Sequence, residues 1–355
     1  MTERQRNALL AFLVVAVLVV VVRLYLQERA AIPPGGTFPD GTPAIRGEYL
    51  FCFWNVENLF DDVDDARKAR GDREYDAYFA GDPAALRQKL ANLADVLLGM
   101  NAGRGPDILA VAEVESERAV ELLQEALNGR LTDPALHYTG RAFADPSGGR
   151  NISTALLTRL TVEHDRTRLL GRRQRILEAR VRVGASPLVV IASHWGSRVS
   201  DKAGTSRANY ADAIYGRFNR LVHANPAVDL LVCGDFNDNP DDVSVVAHLH
   251  ATGDLAAVRA AREPLLYNPF APLYARGTAS HYYGRKAYLF DQVCLSPGLL
   301  DSEGWSYIDG SAAIVAERAD RQGRPIRFGG SADKRPLAVR GASDHFPVTV
   351  RLRVR

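Results

Sequence analysis

Five short stretches of this chain join an apolar run to acids, amides or imidazoles. They are Phe53-Trp54-Asn55-Val56-Glu57-Asn58, Ala112-Glu113-Val114-Glu115, Ala192-Ser193-His194-Trp195-Gly196-Ser197-Arg198, Cys233-Gly234-Asp235-Phe236-Asn237-Asp238 and Ser343-Asp344-His345-Phe346-Pro347. Glu113, Asp235 and Asp344 supply hard oxygen donors, which suit Mg²⁺, Ca²⁺ or Mn²⁺. The Cys/His spacing of a zinc site is absent. Carboxylates on a divalent ion with imidazoles beside them suit phosphoryl chemistry. The ion neutralises the non-bridging oxygens while a base deprotonates an attacking water. Taken singly, each stretch is better explained as a turn, because Asp, Asn and Gly commonly follow strands for conformational reasons. The run from Gly234 to Asp238 is the strongest signal, with two acids and an amide closing an apolar strand. Ser343-Asp344-His345, just before a last apolar run, is second.

These residues must be carried by strand ends. Apolar runs at 49–54, 107–114, 152–157, 176–183, 188–193, 228–233, 291–296 and 348–352 read as strands. Pro83 opens a helix capped by Asp82, with Leu86, Leu90, Leu93 and Leu97 on one face. Helices are also predicted over 116–128, stopped by Gly129, and over 207–223. The acidic stretch 61–82 reads as a loop. Its Asp61, Asp62, Asp64 and Asp65 lack the spacing of a calcium loop, so a solvated loop is expected. Strands outnumber helices, and several follow one another directly. That pattern predicts an α/β fold, a four-layer α/β sandwich of two packed mixed β-sheets flanked by helices. Strand ends on one edge of such a sandwich would gather at one mouth.

The chain has 355 residues, enough for one large domain or two ordinary ones. Its net charge of +2 is not the strongly basic footprint of a dedicated nucleic-acid-binding protein. Cys52, Cys233 and Cys294 each sit in an apolar run, and an odd count spread this way favours buried free thiols over a disulfide framework. Residues 1–7 form a short basic start, and residues 8–26 an apolar stretch interrupted only by Arg23. As a helix that stretch would reach about 28 Å, close to the roughly 30 Å of a bilayer core. The alternative is a cleaved signal peptide, but Gln27, Glu28 and Arg29 stand where small residues would be needed. The expectation is an uncleaved single-pass transmembrane anchor at 8–26, a Pro/Gly-bearing linker at 27–47 and a catalytic domain at 48–355 outside the cytoplasm.

The order and content of the five stretches resemble the endonuclease/exonuclease/phosphatase superfamily, whose best-known member is deoxyribonuclease I. The resemblance runs from about Glu48 to the end of the chain and is nearest to a bacterial group with a similar His-Trp-x-Ser-Arg segment. It implies a metal site holding Asn55, Glu113 and Asp344. It implies that His194 faces the scissile phosphate, that Asp235 and Asn237 position the water and the phosphate, and that Asp291 orients His345. Arg150, Asn151, Arg198 and Arg207 become candidate phosphate contacts. Ser153 stands where relatives often carry an acid, and Gly196 where they carry Pro. His137, His164, His223, His248, His250 and His281 lie outside the matching stretches and are expected to be surface or core histidines. The implied activity is Mg²⁺-dependent hydrolysis of phosphodiesters, with Mn²⁺ or Ca²⁺ as alternative ions. Nucleic acid is the first-choice substrate. A phospholipid or other phosphoesterase (sphingomyelinase-like) is the alternative, and a catalytically inactive membrane-tethered binding module the second. No obligate protein partner is indicated.

Overall fold

The computed structural model describes residues 47–146, 150, 152–171, 174–316 and 318–354. The expected anchor at 8–26, nearly all of the linker and Asn151 lie outside them. Among the described residues no helix is long and apolar enough to cross a membrane.

The first sheet is built on β1 (Gly47–Leu59) and β2 (Ile108–Val114), which run parallel. β3 (Ser153–Thr158) pairs antiparallel with β2. The second sheet centres on β4 (Ser186–His194), β5 (Leu230–Asp235) and β6 (Asp291–Leu295), with β4 parallel and β6 antiparallel to β5. The last strand, β7 (Val348–Val354), returns to the first sheet and pairs antiparallel with β1. The helices are α1 (Arg70–Gly81), α2 (Pro83–Gly99), α3 (Glu117–Asn128) and α4 (Thr205–Ala224).

Side chains alternate across a strand, so each sheet offers two faces. Phe51 and Phe53 of β1 point between the sheets and meet Val190, Leu231, Val293 and Val350. Cys52 and Trp54 point the other way, onto Leu86, Leu93, Leu97 and Leu123 of the helices. On the far side Ile191 and Val232 pack against Ile214 and Phe218 of α4. The result is helix, sheet, sheet, helix, and burial on both faces explains why the central strands are apolar throughout. The three cysteines are buried and free.

The stretch 61–82 departs from expectation, because residues 70–81 are helical. α1 turns Phe79 inward together with two carboxylates, Asp72 and Asp76. Asp76 accepts from the Asp65 and Arg67 amides and so ties down the loop before the helix. Asp61 is buried rather than solvated, accepting from the Val63 amide and the Ser116 hydroxyl. Asp82 caps α2 through the Ala84 and Ala85 amides, and Ser116 caps α3 through that of Ala119.

Candidate active site

Register does most of the assembly. His194 lies opposite Asp235, and Asp235 opposite Asp291, so the ends of β4, β5 and β6 set an imidazole and two carboxylates in one row. From the first sheet, Asn55 pairs with Ala112, which places Glu113 one residue beyond it at a break in the ladder. Glu113, Asn58, Glu57 and Asn237 all have positive φ, at 66°, 52°, 52° and 52°. Residues with a side chain are held in this region at a cost of about 1–3 kcal/mol each, and such strain gathers at functional sites.

Asn55 Nδ2 donates to Asp235 Oδ2 at 2.9 Å and to Glu113 Oε1 at 3.3 Å. Glu113 Oε2 accepts from the Asn58 amide at 2.9 Å. His194 Nε2 lies 3.6 Å from Asp235 Oδ2 and 3.8 Å from Glu113 Oε1. His345 Nε2 approaches the same Asp235 oxygen at 3.7 Å, while its Nδ1 meets Asp291 Oδ2 at 2.7 Å. Asp235 Oδ1 accepts from the Asn237 amide at 2.9 Å. The terminal stretch is bolted on by Ser343 Oγ donating to Asn55 O at 2.6 Å and Trp54 Nε1 to His345 O at 2.8 Å. Asp344 is half-buried and groups with His281 and His345.

The electrostatics follow from burial. Burial pushes the Asp235 carboxyl up to about 7, although His345 opposes it. Burial alone would make His345 less basic, but the Asp291 and Asp235 carboxylates outweigh it and hold the imidazole well above its ordinary range. His194 goes the other way: burial, then Arg175, His345 and Arg150, keep it neutral. Its Nδ1 is buried without a hydrogen-bond partner among the described residues. Ser153, at the position where relatives often carry an acid, donates through Oγ to Ala144 O. Glu57 is raised to about 7 by burial and by Asp344.

These acids fit a hard divalent cation. Glu113 and Asp235 share one neutral amide donor, and Asp235, Asp291 and His345 form one metal-sized group while Asp344, His281 and His345 form another.

The arginines divide. Arg207 is buried, with Nε 2.8 Å from Asp238 and Nη1 donating to Asp201 O at 2.8 Å. Arg198 is largely committed to Asn237 O, Asp238 and Asp242, and it stacks over Tyr288 and Phe290. Arg150 reaches the mouth through Asp72 and Asn58, with its side chain 39% exposed.

His281, expected to stand apart, belongs to the site. It stacks on His345 with centroids 4.2 Å apart, and Asp344 O lies 3.0 Å from its Nδ1. The signal missed is the short hairpin 281–288 just ahead of β6. Glu57, two residues past Asn55, has a structural task. It holds the Phe328 and Gly329 amides and Arg327.

The fold is shared with solved structures of low identity. Truncated TDP2 from Caenorhabditis elegans superposes with a TM-score of 0.52 at 13% identity, covering 87% of this chain and 98% of its own. D. rerio TDP2, complexed with single strand DNA product, gives 0.51 at 14%, covering 86% and 99%. A mannosyl-6-phosphatase from Bacteroides thetaiotaomicron also gives 0.51 at 14%, covering 86% and 99%. No curated protein matches the chain. The sequence profile of the Endonuclease/Exonuclease/phosphatase family matches residues 50–354, and the chain belongs to that family.

Proposed function

We propose that the chain hydrolyses phosphodiesters with a bound divalent metal ion, and that its substrate is nucleic acid. The observation that carries this reading is the meeting of Asn55, Glu113, His194, Asp235, Asn237, Asp291, Asp344 and His345 at one mouth, from strand ends of both sheets. Asn55, Glu113 and Asp344 are the ligands offered to Mg²⁺, with Mn²⁺ or Ca²⁺ as alternatives. Such an ion, when bound, neutralises the non-bridging phosphate oxygens. Asp235, with its pKa raised into the neutral range, takes the proton of the attacking water, and Asn237 helps place that water. Charged His345, oriented by Asp291, stabilises the charge that builds on the phosphate and gives its Nε2 proton to the leaving oxygen as the scissile P–O bond breaks. Neutral His194 donates to a phosphate oxygen through Nε2.

Nucleic acid is favoured by what adjoins the site. A groove of about 600 Å³ opens beside Asn237 and His281, with exposed Tyr283, Arg285 and Lys286 on the hairpin. Stacking continues from His345 through His281 and Phe290 to Tyr288, with centroid steps of 4.2, 5.7 and 4.6 Å. Aromatic faces with basic side chains beside them suit bases and their phosphates. The net charge of +2 is no obstacle, since the basic groups are local.

The test is turnover of plasmid DNA, RNA, a sphingomyelin-type lipid and a chromogenic phosphodiester, each with Mg²⁺, Mn²⁺ or EDTA. Nucleic acid should be cleaved with metal and not in EDTA. Glu113→Gln should lose at least about a hundredfold while staying folded, given that even indirect changes at metal sites cost 10- to 100-fold. Turnover that survives EDTA or Glu113→Gln sinks the metal mechanism. Preference for the lipid moves the substrate class, and inactivity on all four leaves a binding module.

The catalytic domain is placed outside the cytoplasm, tethered by 8–26, on the strength of that apolar stretch and the basic Arg4 and Arg6 before it. A reporter fused after Arg355 should be active outside. Activity confined to the cytoplasm reverses this placement.

A further inference from the structure

Lys89 is fully buried, at 0% exposure, in the middle of α2. An ammonium is costly to bury unless its hydrogen bonds are met, and an apolar side chain would fill the same space at no such cost. Its presence has to be explained by what Nζ holds. Nζ donates to Glu57 O at 3.0 Å and to Ala342 O at 2.7 Å, and it lies 5.2 Å from the centroid of the Phe328 ring.

Both carbonyls adjoin the site, from opposite ends of the chain. Glu57 is two residues past Asn55, in the bulge where the β1–β2 ladder skips from Asn55 to Leu59. Ala342 is two residues before Asp344. One turn further along α2, Asn92 donates to Arg340 O at 3.0 Å and Gly341 O at 2.8 Å. The helix thus grips three successive carbonyls of the segment that leads into Ser343-Asp344-His345. Glu57 completes the clamp through its carboxylate, which accepts from the Phe328 and Gly329 amides.

We propose that Lys89 is a positioning residue of this site: its buried ammonium locks the main chain beside Asn55 to the main chain beside Asp344, so that metal ligands from the two chain ends meet in register. Lys89 touches neither metal nor substrate, and it acts through the two loops. The proposal rests on the function argued above, and its test has one arm that does not need catalysis.

Lys89→Met keeps length and removes the donor. Relative to wild type, kcat per folded molecule should fall about 10- to 100-fold, the range for groups that orient metal ligands. KM for nucleic acid should change little, and more Mg²⁺ should be needed for half-maximal rate. Independently of activity, the rise in Tm that saturating Mg²⁺ gives the wild type should shrink in Lys89→Met. Leu93→Ala, on the core-facing side of the same helix, should lower Tm and leave both readouts at wild-type values. Should Lys89→Met not fold, Lys89→Gln, which keeps a shorter donor, carries the same comparison and should be intermediate. A Lys89 variant with wild-type kcat and the wild-type Mg²⁺-induced rise in Tm overturns the proposal. So does a Leu93→Ala protein that loses both readouts equally, since the role would then be structural alone. If the wild type cleaves nothing, the functional reading fails, while the Mg²⁺-induced rise still decides the clamp.

Discussion

Asp291 is a fully buried carboxylate. Its Oδ2 meets His345 Nδ1, and its Oδ1 has no hydrogen-bond partner among the described residues. An aspartate kept only to satisfy strand backbone would spend its oxygens on amides, so the side chain here is there for the imidazole. Such a carboxylate fixes which ring nitrogen carries the proton toward the reacting centre and stabilises the charged ring. Asp291 and His345 should therefore behave as a unit. His345→Ala and Asp291→Asn should each cost on the order of two to four decades in turnover per folded molecule. The double variant should cost little more than the worse single one, because losses within one catalytic unit do not add. The sign of the pH effect also follows. His345 is held protonated above its ordinary range, so its contribution is present at low pH and lost as pH rises through its pKa. Asp291→Asn removes the anion, lowers that pKa and should move the alkaline limb of the rate profile to lower pH. Strict additivity in the cycle, or an unmoved limb, rules the pair out.

Elements explain both what could be read in advance and what could not. Strands buried on both faces announce themselves as apolar runs, and a polar cluster at the end of each marks the shared mouth. That is why Asn55, Glu113, His194, Asp235, Asp344 and His345 stand out in the sequence, whereas Asp291, in none of the five stretches, is singled out only by the family resemblance. α1 was not, because five of its twelve residues are charged, two of its carboxylates are buried to tie down neighbouring loops, and its apolar face is only Tyr75, Tyr78 and Phe79. For Arg207, a candidate phosphate contact, sequence shows a charge but not its partner. Asp238 is remote in sequence, and only the packing of α4 on the second sheet brings it within 2.8 Å. His281 and Lys89 failed for a related reason. One sits on a three-residue strand and the other on a helix, and only their through-space neighbours, His345 and the carbonyls of Glu57 and Ala342, mark them out. The breaks in the ladder carry the rest. Glu113 and Asn58 take left-handed backbone where pairing lapses, which turns the Glu113 carboxylate onto the Asn58 amide instead of out along the strand.

At the scale of the whole molecule, the two sheets are joined at the end opposite the site as well as at the mouth. Asp229 lies just ahead of β5 in the second sheet, and its Oδ2 accepts from the Trp305 amide at 2.9 Å. Trp305 belongs to the strand that pairs with β7 in the first sheet, and its indole reaches Ser186 O at 3.0 Å. Burial raises the Asp229 carboxyl to about 7, against the help of that amide, and its Oδ1 is buried without a partner among the described residues. A carboxyl whose pKa rises on folding favours the folded state only while it is protonated. Its contribution is whole below the unfolded pKa of about 4, and it is lost as pH rises through the folded value of about 7. Glu115, raised to about 7 mainly by burial, pulls the same way. The protein should therefore lose stability from about pH 4 to pH 7 through these two groups. Asp229→Asn keeps an acceptor for the Trp305 amide and removes the charge. Its Tm should exceed that of wild type at about pH 8 and converge with it at about pH 4, with turnover per folded molecule unchanged because the site is at the other end of β5. Thermal unfolding of both proteins across that range checks this. If Asp229→Asn is less stable than wild type at about pH 8, the charged carboxylate is a net support of the sheet junction and the burial argument is wrong.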